Sequence, residues 1–97
     1  MKPVFFHPAA QAEFFAAQDF YEARVEGLGE DFRQEVLAAV DVVRASPQRW
    51  PVRIWGARTY FVYRFPFAVV YLEMPKKLWV VAVAHTSRRP GYWKGRL

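Results

Sequence analysis

The sequence of 97 residues has the length of one small domain, and we expect a single domain over residues 1–97. With 54% hydrophobic and 19% aromatic residues, the composition excludes a disordered chain, and the absence of cysteine excludes disulfides and thiolate chemistry. The longest apolar runs, residues 67–72 and 78–84, are far shorter than the roughly 18 residues that predict a membrane span.

Charge is unevenly distributed along the chain, whose formal net charge is +5. Four basic and eight acidic residues give residues 1–45 a net charge of −4, whereas ten basic residues and Glu73 give residues 46–97 a net charge of +9. This asymmetry predicts a nucleic acid or an acidic protein as a partner of the second half. The alternative is a charged surface that only keeps the protein in solution.

The predicted elements begin with a strand at residues 4–6, which is short, apolar and β-prone. A helix is predicted at residues 8–25, opened by Pro8, because apolar residues recur there at helical spacing: Ala10, Phe14, Ala17, Tyr21 and Val25. A second helix is predicted at residues 30–45, with an apolar stripe of Phe32, Val36, Ala39, Val40 and Val43. Their short connection predicts an antiparallel helical hairpin.

Four β-rich segments follow the second helix, at residues 53–57, 59–65, 68–73 and 78–85, and their short connections predict antiparallel pairing. The last segment is almost wholly apolar, which predicts a central strand covered on both faces. We expect Val81 and Val83 in this strand to face Val36, Val40 and Val43. The fold class predicted is α+β: an N-terminal strand, a two-helix antiparallel hairpin, then a three- to four-stranded antiparallel sheet.

The sequence lacks the residue patterns of several kinds of functional site. His7 and His85 are its two imidazoles and lie in different segments, so we expect no metal site. No glycine-rich phosphate loop is present, and we expect no cofactor. A Ser–His–acid triad would need Ser46 or Ser87, and no strand–elbow–helix motif surrounds Ser87.

The segment after the last strand is the most informative part of the sequence. It carries His85, Arg88, Arg89, Tyr92 and Trp93 at one end of the predicted sheet. Imidazole can transfer protons near neutral pH, guanidinium can bind phosphate, and aromatic rings can stack on bases. These residues could therefore serve RNA cleavage without a metal. The alternative is structural: His85 caps the strand end, and the two aromatic residues fold back onto the core.

Motifs distributed along the chain resemble the RelE/ParE superfamily of bacterial type II toxin–antitoxin (plasmid stabilisation) systems. The matching stretches, each short, occur in order at residues 6–14, 20–22, 27–32, 46–51, 63–71, 81–85 and 89–93. The resemblance implies the α+β fold described above, a cytoplasmic toxin, and a cognate acidic antitoxin that holds the toxin inactive in a hetero-oligomer. It implies no membrane partner.

The superfamily contains two activities, which this sequence matches to different degrees. RelE-like members resemble RNases that cut mRNA on the ribosome, with a 2′-hydroxyl attacking the adjacent phosphate; ParE-like members inhibit DNA gyrase. The residues that match the RNase pattern, and are therefore candidate catalytic residues, are His85, Arg89, Tyr92 and Arg64. The arginine usual near Ala68 and the paired lysines of the preceding strand are absent.

The resemblance therefore favours ParE-like inhibition of gyrase. The alternatives are a RelE-like, metal-independent mRNA endonuclease and an inactive toxin-derived binding domain. The candidate residues for contacting a nucleic acid or another target are Arg58, Arg64, Arg88, Arg89, Trp93, Lys94 and Arg96.

Overall fold

A computed structural model describes all residues, 1–97. Its regular elements, in chain order, are β1 (Val4–Phe6), α1 (Pro8–Arg24), α2 (Leu28–Ala45), β2 (Arg58–Phe61), β3 (Phe67–Glu73) and β4 (Leu78–His85). Short 3-10 turns lie at Pro47–Arg49, Ile54–Gly56 and Lys94–Arg96. No helix is both long enough and apolar enough to cross a membrane.

Local sequence explains the start of α1. The Nδ1 atom of His7 accepts a hydrogen bond of 2.9 Å from the amide of Ala9, and so caps one of the helix's free N–H groups. Pro8 occupies the first turn, where its missing N–H loses no bond. The helix ends at Arg24, and Val25, which we predicted to share the buried face, is 57% exposed.

The four strands form one sheet in the order β1-β4-β3-β2. Strands β2, β3 and β4 are antiparallel to their neighbours, as predicted, whereas β1 pairs parallel with β4. Parallel neighbours require a long connection, and the chain between β1 and β4 passes through the helical hairpin and then through β2 and β3. The predicted α+β fold class is therefore confirmed, and the N-terminal strand makes the sheet mixed.

Two predicted strands differ from the structure. Residues 53–57 do not form a strand: a turn at Ile54–Gly56 interrupts them, and a single bridge joins Val52 to Arg58. The strand predicted at residues 59–65 covers Arg58–Phe61, because Arg64 adopts a left-handed backbone with φ 73° and turns the chain toward β3. The prediction for residues 78–85 is confirmed at both ends.

The sheet is covered on both faces. The helices bury Val36, Val40 and Val43 against one face, in a core that includes Val83. A smaller cluster on the other face contains Val81, Ala82 and Trp93. Our prediction that Val81 faces the helices is wrong because the register shifts by one residue: Tyr71 pairs with Val80 and Val70 with Ala82, so Val81 is bulged onto the opposite face.

Candidate functional site

A cleft of about 280 Å³ lies on the sheet face that the helices leave uncovered. Its floor comes from strands β2 and β3 through Thr59, Phe61, Ala68 and Val70. Its walls come from residues 53–54 on one side and from His85 and the C-terminal tail, residues 86–97, on the other. The tail thus lies beside the sheet instead of extending away from it.

Glu13, in the middle of α1, fastens this tail. Its carboxylate accepts hydrogen bonds from the Tyr92 hydroxyl at 2.7 Å and from both terminal nitrogens of Arg96 at 2.9 and 3.0 Å. It also accepts the backbone N–H of Val83 at 3.1 Å, while Arg96 donates to the Val81 carbonyl at 3.0 Å. The Glu13 carboxylate and the Arg96 guanidinium thus form a bidentate ion pair that is largely buried. This ion pair joins α1, β4 and the tail.

The same contacts satisfy an open strand edge. Strand β1 pairs with β4 only from Leu78 to Val80. Beyond that point, the outward-facing backbone groups of Val81 and Val83 would lack partners, and Arg96 and Glu13 supply them. The tail is therefore part of the domain's hydrogen-bonded structure.

Tyr92, a candidate catalytic residue, is held in place by two contacts. Its hydroxyl donates to Glu13, and the Arg88 guanidinium lies 3.9 Å from the centre of its ring. Burial, together with the adjacent Glu13 carboxylate, raises the pKa of Tyr92 well above its usual value. The hydroxyl therefore remains protonated near neutral pH, so it cannot serve as a general base.

His85, another candidate, interacts with its own turn. Its Nδ1 accepts the Ser87 amide at 3.0 Å and lies 2.7 Å from Ser87 Oγ, while its ring packs edge-on against Phe67. An amide N–H can only donate, so Nδ1 is unprotonated and the neutral ring carries its proton on Nε2. This arrangement matches the structural alternative, in which His85 caps the end of its strand.

The other two candidate catalytic residues lie apart from each other. Arg89 is exposed and lines the cleft together with His85 and Tyr92. Arg64 does not line the cleft, and its guanidinium pairs with Asp31 of α2 at 3.2 Å. The structure thus brings together three of the four predicted residues and directs the fourth toward the helices.

The residues predicted to contact a target fall into two groups. Three have structural roles: Arg58 donates to the Trp50 carbonyl, Arg96 binds Glu13, and Trp93 is buried in the smaller core cluster. Arg88, Arg89 and Lys94 are exposed. Arg64 is exposed but paired with Asp31, as described above.

Two residues that shape this region, Glu13 and Arg53, were not among the site residues predicted from the sequence. A signal for Glu13 was present, since it lies three residues after Ala10 and four before Ala17, on the border of the apolar face of α1. A carboxylate at such a position needs a partner. Arg53 had no comparable signal, because a strand was predicted at residues 53–57, where the structure has the turn that places Arg53 at the cleft.

No family model and no curated protein sequence matches the chain. Among solved structures, it is similar to a chain of the chromosomal ParDE toxin–antitoxin (TA) system from P. aeruginosa. The TM-score is 0.64 at 22% identity, over 90% of this chain and 98% of that one. Similarity at this level concerns the path of the backbone. The chain has the RelE/ParE-like α+β fold.

Proposed function

We propose that this protein is the toxin of a toxin–antitoxin pair, and that it acts in the cytoplasm by inhibiting DNA gyrase. Its partner is an acidic antitoxin that covers part of the basic half of the chain and forms a hetero-oligomer with it. The shared fold with a chain of a ParDE system supports the toxin assignment.

The arrangement of the four candidate catalytic residues favours binding over RNA cleavage. Cleavage without a metal needs a proton-transferring group and cations around one phosphate. Here Arg64 pairs with Asp31 outside the cleft, the Tyr92 hydroxyl is bound to Glu13, and His85 accepts hydrogen bonds from its own turn. The separation of Arg64 from the cleft carries this argument, because it removes one of the cations from the site.

RNA cleavage on the ribosome is the second candidate function. It is favoured by one observation: His85, Arg88 and Arg89 line the same cleft. In that mechanism the 2′-oxygen would attack the phosphate and expel the 5′-oxygen. His85 would take the proton of the 2′-hydroxyl and return it to the leaving 5′-oxygen, while the arginines neutralise the phosphate. The third candidate function is that of an inactive, toxin-derived binding domain.

Two assays with the purified protein separate these functions. We expect inhibition of gyrase supercoiling and no effect on a cell-free translation reaction, with both reactions receiving the same concentration of protein. Blocked translation with cut mRNA would instead establish the RNase. Activity in neither assay, together with normal growth of cells that express the protein without its antitoxin, would indicate the inactive domain.

A further inference from the structure

The loop before β2, residues 51–56, presents a large exposed aromatic side chain beside the cleft. Trp55 is 53% exposed, whereas Trp93, which the sequence suggested as a contact residue, is 5% exposed. Of these two tryptophans, Trp55 is therefore the one available to a partner.

Trp55 is fixed in its exposed position. Its φ of 57° and ψ of 28° lie in the left-handed region, which side-chain-bearing residues seldom adopt, so surrounding contacts must maintain it. The Lys94 ammonium lies 3.8 Å from the centre of its ring. A Cβ at Gly91 would lie 3.2 Å from the indole Nε1, so the glycine leaves room for the ring. The loop and the tail thus hold the indole between them.

Positive charge without salt-bridge partners lines the cleft beside this loop. Arg53, Arg88 and Arg89 line the adjacent cleft, and none of them takes part in a salt bridge. No carboxylate lines this cleft. The surface therefore has a charge that an acidic partner would complement.

Exposed apolar side chains continue this surface. Ile54, in the cleft wall, is 39% exposed, and Phe61, on the cleft floor, is 58% exposed. A rigid tryptophan next to arginines is typical of residues that dominate the energy of protein interfaces. The aliphatic side chain of Ile54 adds affinity for apolar protein groups and little for phosphates or bases, so it favours a protein over a nucleic acid as the partner.

We propose that residues 53–55 and the cleft-lining arginines form a docking surface for an acidic segment of a partner protein, in which Trp55 is the apolar anchor. Glutamate or aspartate side chains of that segment pair with Arg53, Arg88 and Arg89, while an apolar side chain packs against the indole. This surface is independent of whether the protein inhibits gyrase.

A short synthetic peptide of glutamates flanking two central leucines tests the proposal. We expect saturable binding to the full chain by titration calorimetry, and NMR perturbation of the Trp55 indole N–H before signals of the helices. Trp55→Asn should weaken binding about tenfold, in the range of losses for a truncated interface anchor. Asparagine is chosen because it tolerates the left-handed backbone, so the melting temperature should be retained.

Matched controls make each part of the proposal separable. Tyr63→Ala removes an aromatic side chain that is 77% exposed outside the cleft, and should leave binding unchanged. Replacing the leucines by serines should weaken binding, and replacing the glutamates by lysines should abolish it. Because none of these readouts depends on toxicity, a negative gyrase assay would leave the result intact.

Three results with the peptide would overturn the proposal: no binding, perturbations confined to the helices, or full affinity in a normally folded Trp55→Asn variant. A single-stranded RNA oligonucleotide of the same charge provides the remaining comparison. If it bound to the same surface more tightly than the peptide, the surface would be a nucleic-acid site and the protein-docking proposal would be wrong.

Discussion

Tyr71 shows how burial sets the properties of a single side chain in this protein. It is fully buried in the main core, and its hydroxyl donates to the Pro47 carbonyl at 2.7 Å. Because burial disfavours the phenolate, it raises the pKa of Tyr71 to about 12. Ionisation of Tyr71 therefore links folding to pH in the alkaline range.

The resulting prediction concerns alkaline stability. A pKa raised in the folded state gives stability that is complete below about pH 10, the usual phenol pKa, and is lost as pH rises through the folded value. We expect the free energy of unfolding in urea to fall from about pH 10 upward, and Tyr71→Phe to reduce that slope. Tyr63→Phe, at an exposed position, is the control; equal slopes in all three proteins would contradict the prediction.

Arg89 and His85 test the candidate site at the same scale. Arg89 is exposed and unpaired, so Arg89→Ala should change stability by less than about 0.5 kcal/mol and yet weaken growth inhibition in cells.

His85→Gln should have a mild effect if the protein inhibits gyrase, but should lower RNA cleavage by about 10²–10⁴-fold if the protein is an RNase.

Growth curves after induction, together with melting temperatures, check both variants. Full toxicity of both folded variants would exclude this cluster as the site. The next candidate would then be Arg64, whose half-exposed guanidinium pairs with Asp31 of α2.

At the scale of elements, the contact between the two helices depends on Gly29. A Cβ at this position would lie 2.6 Å from the Gln18 carbonyl oxygen and 2.8 Å from Glu22 Cβ. Glu22 also accepts the amides of Gly27 and Gly29, both at 2.9 Å, and so caps the first turn of α2. The hairpin therefore closes only with a residue that lacks a side chain in the first turn of α2.

Gly29→Ala should destabilise the domain by about 1–3 kcal/mol, because a backbone oxygen must move to admit the methyl group. The helix-propensity gain of alanine over glycine, at most about 1 kcal/mol, offsets only part of this loss. Gly95→Ala is the matched control, since no atom lies within 4 Å of a Cβ there. Equal unfolding midpoints in urea for the two variants would show that the helices can separate without loss.

The attachment of the tail to α1 is a second test at this scale. Glu13→Ala leaves the Tyr92 hydroxyl, the Val83 amide and Arg96 without their shared acceptor. We expect a loss of about 2 kcal/mol in the free energy of unfolding and faster hydrogen exchange of the Val83 amide. Glu26→Ala, at an exposed position in the hairpin connection, is the control. Unchanged Val83 exchange in Glu13→Ala would mean that the tail is held by Trp93 packing instead.

The whole molecule combines an acidic helical part with a basic part. Residues 1–45, which form β1 and both helices, have a net charge of −4, and the remaining strands and tail have +9. Long-range electrostatic attraction between the basic part and an acidic partner increases the association rate and is screened by salt. An acidic antitoxin should therefore bind quickly at low ionic strength.

We expect the association rate of the acidic antitoxin, measured by stopped flow, to fall about tenfold or more between low and high salt. The double change Arg88→Glu and Arg89→Glu should slow association further, because it reverses charge at the cleft. Lys76→Glu, in the turn at the opposite end of β4, provides a comparison for charge reversal away from the cleft. A rate that is insensitive to salt would contradict the electrostatic account.

Sequence by itself determined the helices, the order of elements and the central strand. Helical spacing of Val36, Val40 and Val43 identified the face of α2 that is buried, and the unbroken apolar run of residues 78–84 required cover on both faces of β4. These are local properties: each follows from the periodicity of a few neighbouring residues.

Tertiary structure alone decided which distant residues meet. The bulge at Val81 turned its side chain away from the helices, and the turn at residues 54–56 exposed Trp55, while the fold of the tail buried Trp93. Glu13 finds Tyr92 and Arg96 across 79 and 83 residues of sequence. Register and long-range pairing depend on the packing of the whole chain, so no local pattern could specify them.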